Sequence, residues 1–171
     1  MDSTKWISKK IALLGHYGVG KTSLISRFVY SKFPESYLTT IGLKVDKKTI
    51  DVGEYCLDLV IWDIAGQEEV ANVPHFYLKG CAGVIYVFDL ARSVTYANLD
   101  SQISQIRTLI PDAEILVAGN KKDLLSEAEL EAINEKINAP VDLFTSAKED
   151  QGVEELFNML AQKLVSGHGA S

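Results

Sequence analysis

The sequence predicts an open, mostly parallel α/β sheet of six strands, with one antiparallel edge strand and helices on both faces. Three observations carry that expectation. Apolar runs of strand length recur along the chain, segments with helical apolar spacing separate or follow them, and one pair of runs flanks a tight tip.

The opening reads as strand, loop, helix: Lys10 to Leu14 is a short apolar run closed by a Gly-rich turn, and Thr22 to Tyr30 behind it has helical character. Leu43 to Val52 and Tyr55 to Trp62 flank a Val-Gly-Glu tip, and Val45, Leu57, Leu59 and Ile61 supply period-two alternation, so these runs are expected to form the antiparallel hairpin. Val84 to Phe88, Ile115 to Ala118 and Val141 to Phe144 are the remaining strands, joined by parallel crossovers. Leu99, Ile103, Ile106 and Ile110 fall at helical spacing, as do Val153, Leu156, Phe157, Leu160 and Leu164, so each stripe covers a sheet face. Ser126 and Glu129 ahead of Leu130 and Ile133 fit a capping box.

With 171 residues, 47% of them hydrophobic, the chain has the size and apolar content of one domain, 1–171, with a single core. Lys and Arg total 17 against 23 Asp and Glu, a net charge of −6, which leaves no basic field to condense on a phosphate backbone and argues against nucleic acid as a partner. Cys56 and Cys81 are too few for a disulfide framework and lack the clustering of a zinc site, so a reducing cytoplasmic compartment is expected. The chain is also expected to be a monomer. Met1 to Lys10 has no signal-like apolar stretch, and no run approaches the ~20 apolar residues that cross a bilayer. Residue 2 is Asp, and Ser166 to Ser171 contain no cysteine, so no direct membrane anchor is expected in this chain.

Gly15, His16, Tyr17, Gly18, Val19, Gly20, Lys21 and Thr22 spell G-x-x-x-x-G-K-[ST] between the first strand and the first helix, the placement its mechanism demands. The glycines let the backbone coil so that successive N–H groups point inward, the helix N-terminus adds positive potential, and Lys21 delivers a full charge to the β- and γ-phosphates. Thr22 offers its hydroxyl to Mg²⁺, and Ser23 belongs to the same binding segment.

Asn120, Lys121, Lys122 and Asp123 follow the run Ile115 to Ala118 and so lie on the same rim as the phosphate loop. An aspartate there accepts both N1–H and the exocyclic amine of guanine, whereas adenine would leave the buried carboxylate facing an acceptor. The stem of Lys121 can lie along a ring face, and Ser146, Ala147 and Lys148 can present a backbone N–H to the guanine carbonyl.

Asp63 ends the Tyr55 to Trp62 strand and suits an acidic group held at Mg²⁺ through water. The Gly66 amide can reach a γ-phosphate oxygen, and Gln67 can orient a water for in-line attack as a neutral donor and acceptor. Thr39, Thr40, Ile41 and Gly42 close a polar stretch from Ser31 that reads as a mobile loop, where a threonine meets Mg²⁺ only when the third phosphate is present; taken alone, a strand-starting threonine is the simpler reading.

Together these segments resemble the Ras superfamily of small GTPases, from Lys10 to about Leu164, and the Rab-like branch above all, because Thr40, Ile41, Gly42 and Trp62 to Glu68 look like its two switch signatures. The resemblance implies a Ras-like P-loop NTPase three-layer fold and a molecular switch that binds GTP or GDP with Mg²⁺ and slowly hydrolyses GTP. By position it implies phosphate binding by Gly15 to Thr22, metal coordination by Thr22 and Thr40 with Asp63 behind water, water positioning by Gln67, and base binding by Asn120, Lys121 and Asp123 with Ser146 to Lys148. Lys21, Thr40 and Gly66 join Gln67 as the groups around the reacting phosphate. Phe33 looks like the family aromatic at the guanine edge; a hydrophobic pin for the loop explains it equally well. A GTPase-activating protein, an exchange factor and effectors are the implied partners, meeting the switch loops, with Val45, Ile41, Trp62 and Tyr77 as contacts or as packing.

Departures shape the expectation. Tyr17 lies near the γ-phosphate where many relatives carry smaller residues, and is expected to slow hydrolysis and restrict an inserted arginine. His16 is expected to point outward, and His75 and His168 give no reason to assign catalysis. None of the three arginines, Arg27, Arg92 and Arg107, lies in the phosphate loop or a switch loop, so an arginine finger in cis is not expected and the isolated chain should turn over slowly. The short span from Asp123 to Ser146 disfavours the Rho branch's helical insert. The competing reading is a regulatory or scaffold module that holds nucleotide with negligible hydrolysis; a P-loop kinase or ATPase would need adenine acceptance and a second-substrate lid.

Overall fold

The computed structural model describes residues 3–36 and 40–168. Thr39 of the polar loop, Met1, Asp2 and Gly169 to Ser171 lie outside the described residues. The rest forms one sheet from β1 (Lys5–Leu14), β2 (Leu43–Val52), β3 (Tyr55–Ile64), β4 (Cys81–Asp89), β5 (Glu114–Asn120) and β6 (Leu143–Phe144), in the order β2-β3-β1-β4-β5-β6. Only the edge strand β2 runs antiparallel, to β3; the other neighbours are parallel. The helices are α1 (Lys21–Tyr30), α2 (His75–Leu78), α3 (Leu99–Leu109), α4 (Glu127–Lys136) and α5 (Val153–His168).

The interior is two apolar layers, one on each sheet face, where a single core was expected. Against one face, Leu24, Ile25 and Phe28 of α1 meet Val153, Leu156, Phe157, Leu160 and Leu164 of α5 over Leu13, Leu57 and Leu59. Phe28 and Phe157 stack there with centroids 4.1 Å apart. On the other face, Leu99, Ile103 and Ile106 of α3 cover Val84, Tyr86 and Phe88, with Leu130 and Ile133 of α4 packed against them. Ser126 and Glu129 exchange the two hydrogen bonds of the capping box at the start of α4.

Boundaries differ from the expectation where polar residues take strand positions. β1 starts five residues early, because Lys5 pairs with Tyr55 of β3 while β4 joins only at Lys10. The first half of β1 is flanked on one side alone and tolerates Lys5, Ser8 and Lys9. β6 shrinks to Leu143–Phe144 because the Asp142 carboxylate, rather than a ladder carbonyl, accepts the Val117 N–H at 2.7 Å. Ile110 lies just past α3, since Pro111 disfavours helical geometry in the residue before it.

Parallel β1, β3, β4, β5 and β6 all end on one rim, and the loops leaving it carry every motif singled out above. No helix among the described residues is long and apolar enough to cross a membrane. Removing the Phe157 ring deletes half of the stacked pair at the α1–α5 seam, so Phe157→Ala is expected to lower stability by about 3–5 kcal/mol, read as a fall in the urea midpoint at constant slope.

Candidate functional site

Lys21 opens α1 and is 6% exposed. Its ammonium donates to the carbonyls of Gly15 at 3.1 Å and His16 at 2.9 Å, so the preceding loop curls around it. Burial pushes its pKa down to about 8, against the opposing pull of Asp63. Gly20 adopts φ +103°, and a Cβ there would stand 2.2 Å from Asn120 Nδ2, so glycine is required on both counts. A hollow of about 270 Å³ lies between Tyr17, Gly18, Lys21, Thr22 and Ser23 on one side and Phe33, Thr40 and Gly66 on the other. It adjoins a second of about 190 Å³ bounded by Phe33, Asn120, Lys121, Asp123, Ala147 and Lys148.

At the inner end of the first hollow three segments meet. Thr22 Oγ1 lies 2.6 Å from Thr40 Oγ1 and donates to Asp63 Oδ2 at 2.7 Å; Thr40 Oγ1 donates to the same oxygen at 3.3 Å. Asp63 Oδ1 is buried and has no hydrogen-bond partner among the described residues. Burial raises this carboxyl's pKa, while the Thr22 hydrogen bond and the Lys21 charge oppose the rise. Two hydroxyls and one carboxylate, one of whose oxygens is unsatisfied among the described residues, form a hard all-oxygen set, which fits Mg²⁺ bound together with phosphate oxygens.

The loop after β3 lies flush on the phosphate loop. A Cβ on Gly66 would sit 2.4 Å from the Tyr17 Cα and N, and the Gln67 N–H donates to Gly15 O at 3.2 Å. Two residues on, the loop is tied to α3, where buried Gln102 donates to Glu69 at 2.5 Å and accepts the Val70 N–H at 2.7 Å. Gln67 is therefore carried between two anchors.

In the second hollow, Asn120 locks three loops together: its Nδ2 donates to Val19 O at 3.0 Å, and its Oδ1 accepts from Thr145 Oγ1 at 3.0 Å and Ala147 N at 3.2 Å. The Lys121 ammonium donates to Gly18 O at 2.8 Å and pairs with Asp89 at 2.9 Å, which draws its stem along the hollow. Asp123 stands exposed on the rim, not buried as expected, because it sits in the short turn Lys122–Leu124 outside the sheet; its Oδ1 accepts from Ser146 Oγ at 2.7 Å. Phe33 bridges the two hollows, with the Arg27 guanidinium 5.8 Å from its ring.

His16 contradicts the outward orientation expected of it: the side chain is 6% exposed and lies inward. Its pKa is lowered by burial first and by Arg92 second. Sequence reasoning also passed over the residues that hold the site from behind. Asp89 anchors Lys121, Arg27 donates to Ala147 O and Lys148 O, and Thr145 orients Asn120. Arg92, though outside the motif loops, donates to Tyr17 O at 2.9 Å. Asp89 had a readable signal, a carboxylate closing an otherwise apolar strand; Arg27 had none, since one arginine on an amphipathic helix resembles any solvated residue.

A parallel sheet whose first strand delivers a glycine loop and buried lysine to a hydroxyl–carboxylate cluster defines a P-loop nucleotide-binding protein. The Ras family model matches residues 10–166. Ras-related protein SEC4 of Saccharomyces cerevisiae is 35% identical over 158 residues, covering 90% of this chain and 73% of that protein. Ras-related protein Rab-17 of Homo sapiens is 37% identical over 162 residues, 91% and 76% of the two chains, and human Ras-related protein Rab-4B is 33% identical over 162 residues, 92% and 76%. The chain belongs to the Ras family and is a Rab-like small GTPase. It is a GTP-binding molecular switch with GTPase activity, taking GTP or GDP with Mg²⁺ and working with regulators and effectors; the nucleotide-holding module without hydrolysis is not favoured.

Neutralising Asp89 removes the anionic holder of Lys121. Asp89→Asn is expected to speed release of a fluorescent GDP analogue about tenfold in stopped flow, the equivalent of one charge-assisted hydrogen bond; an unchanged rate would mean that Gly18 O alone fixes Lys121.

Proposed function

We propose that residues 1–171 act as one nucleotide-switch domain in which the phosphate loop, Gly15 to Ser23, cradles the polyphosphate and Lys21 carries the charge that binds it. The observation that supports this best is the meeting of Thr22, Thr40 and Asp63 beside the buried Lys21 ammonium. Thr22 and Thr40 would hold Mg²⁺ with Asp63 behind it, and the ion would supply charge neutralisation for the bound polyphosphate. Asp123 reads the guanine edge, Lys121 and Phe33 border the ring, and the backbone of Ser146 to Lys148 offers N–H groups to its carbonyl. Gly66 presents its amide to the γ-phosphate, and Gln67 orients the attacking water.

Loss of the third phosphate removes a ligand from Thr40 and from Gly66 together, and both loops relax. The surface between them is aromatic and partly open: Val45 pairs with Trp62 across β2 and β3, Trp62 and Tyr77 stack edge-on at 6.2 Å, and Ile41 is 90% exposed. Effectors, an exchange factor and an activating protein meet the chain there, in the cytoplasm and with the chain as a monomer.

Single-turnover hydrolysis with GTP tests the reading. Gln67→Leu is expected to slow it at least tenfold, and Asp123→Ala to lose most of its GDP heat in calorimetry together with its preference over ADP. Full guanine selectivity in Asp123→Ala would sink the base assignment. Tyr17 stands half-exposed at the mouth of the phosphate hollow with its carbonyl fixed by Arg92. Tyr17→Gly is expected to raise intrinsic or activator-stimulated turnover severalfold; no change in either would discard its proposed braking role.

A further inference from the structure

Three consecutive carbonyls of the phosphate loop are each held by a side chain from the ends of β4 and β5. Arg92 Nη1 donates to Tyr17 O at 2.9 Å, Lys121 Nζ to Gly18 O at 2.8 Å and Asn120 Nδ2 to Val19 O at 3.0 Å. None of these donors borders the first hollow, which Gly18 and Gly20 line from the loop side. No peptide bond among the described residues is cis, and across a planar trans peptide the C=O and the following N–H point opposite ways. The N–H groups of Gly18, Val19 and Gly20 are thereby turned from the three donors toward the hollow, and none of them meets a protein acceptor among the described residues. Lys121 and Asn120 belong to a motif; Arg92 belongs to none.

The turn that closes β4 sets the place of Arg92. Its N–H donates to Asp89 O at 3.0 Å, and the hydroxyl of buried Thr95 donates to Arg92 O at 2.7 Å. Asp89 Oδ2 lies 3.9 Å from the Arg92 guanidinium and 2.9 Å from the Lys121 ammonium, so one buried carboxylate stands between the two cations that grip adjacent carbonyls. The peptide that Arg92 grips is an easily turned one. Gly18 has φ +77° and no Cβ, so the Tyr17–Gly18 peptide rotates about its flanking bonds at small steric cost and, unheld, could present its oxygen to an anion in place of its N–H. We infer that Arg92 is a positioning residue for phosphate binding: its hydrogen bond to Tyr17 O fixes this peptide with the Gly18 N–H aimed at the bound polyphosphate. The inference rests on the reading that Gly15 to Ser23 cradles the polyphosphate.

Calorimetry with GDP and with guanosine, which carries the base and no phosphate, tests it. Arg92 is exposed, so its replacement opens no cavity. Arg92→Met is expected to lower GDP affinity about fivefold and to leave guanosine affinity within about twofold of wild type, because the peptide it frees faces phosphate alone. Arg92→Lys keeps a charged donor and is expected to recover most of the loss. In nuclear magnetic resonance spectra of the GDP complex, the Gly18 amide proton is expected to lie downfield in wild type and to move upfield in Arg92→Met as its bond to phosphate weakens. A loss shared equally by GDP and guanosine, an Arg92→Lys variant as weak as Arg92→Met, or a Gly18 amide proton that does not move overturns the inference. Lys21→Ala in the same titrations keeps the two readings apart: if it leaves GDP affinity intact, the phosphate-cradle reading fails; if it lowers that affinity and Arg92→Met does not, only the present inference fails.

Discussion

The site depends on a buried cation. Lys21 has no carboxylate within ion-pair distance among the described residues and is held by two carbonyl oxygens of its own loop. Carbonyl dipoles satisfy the N–H groups but do not cancel the charge, and for that reason the ammonium's pKa falls to about 8. A polyphosphate supplies the missing anion. The loop is thus built around an electrostatic deficit that nucleotide removes, which places the binding energy at the phosphates and leaves the base hollow to decide identity.

Holding that deficit in place requires the neighbouring loops to be rigid. Asn120 ends β5 with its side chain turned to protein: Val19, Thr145 and Ala147 converge on one amide, and Gly20 presses against it closely enough to exclude any side chain. Asp89 at the end of β4 does for Lys121 what Asn120 does for the phosphate loop, and Arg27 reaches across from α1 to the loop after β6. The C-terminal rim of the sheet is therefore cross-braced between consecutive strand ends.

Periodicity and motif spacing carry the fold and the front of the site well, for a physical reason. The apolar runs that make β3, β4 and β5, and the stripes of α3 and α5, are dictated by burial on known faces, and a phosphate loop is a local backbone device spelled by adjacent residues. What the sequence does not show is long-range and polar. Lys5, Ser8 and Lys9 belong to β1 only because β3 is there to pair with them, and Asp142 shortens β6 only because Val117 lies across from it. His16 turns inward beside Arg92 from the turn after β4 and Glu68 and Glu69 from the loop after β3, a fact of tertiary placement that no local pattern records. Asp123 is identifiable as a motif residue, yet its exposure follows from the short turn that sets it outside the sheet.

On the proposed reading of Thr40 and Asp63, their placement would let a change at one phosphate be felt across a surface. Thr40 lies three residues before the start of β2, and Asp63 lies near the end of the ladder on β3, where Lys44 of β2 faces it. The ladder continues past both strands through Ala65 N to Gly42 O at 2.9 Å, so the two sensing segments are the two ends of one hairpin. Val45 and Trp62 pair in the next rung, and Lys10 covers the Trp62 ring at 3.5 Å from its centroid. Because side chains alternate across a strand, Asp63 faces inward to the threonine hydroxyls while Trp62 faces outward to the open surface. A shift at the hydroxyl–carboxylate cluster cannot leave the hairpin without passing through that rung. The proposed sensing residue and the proposed display residue thus lie one residue apart on the same strand, and no longer pathway through the core is needed to connect them.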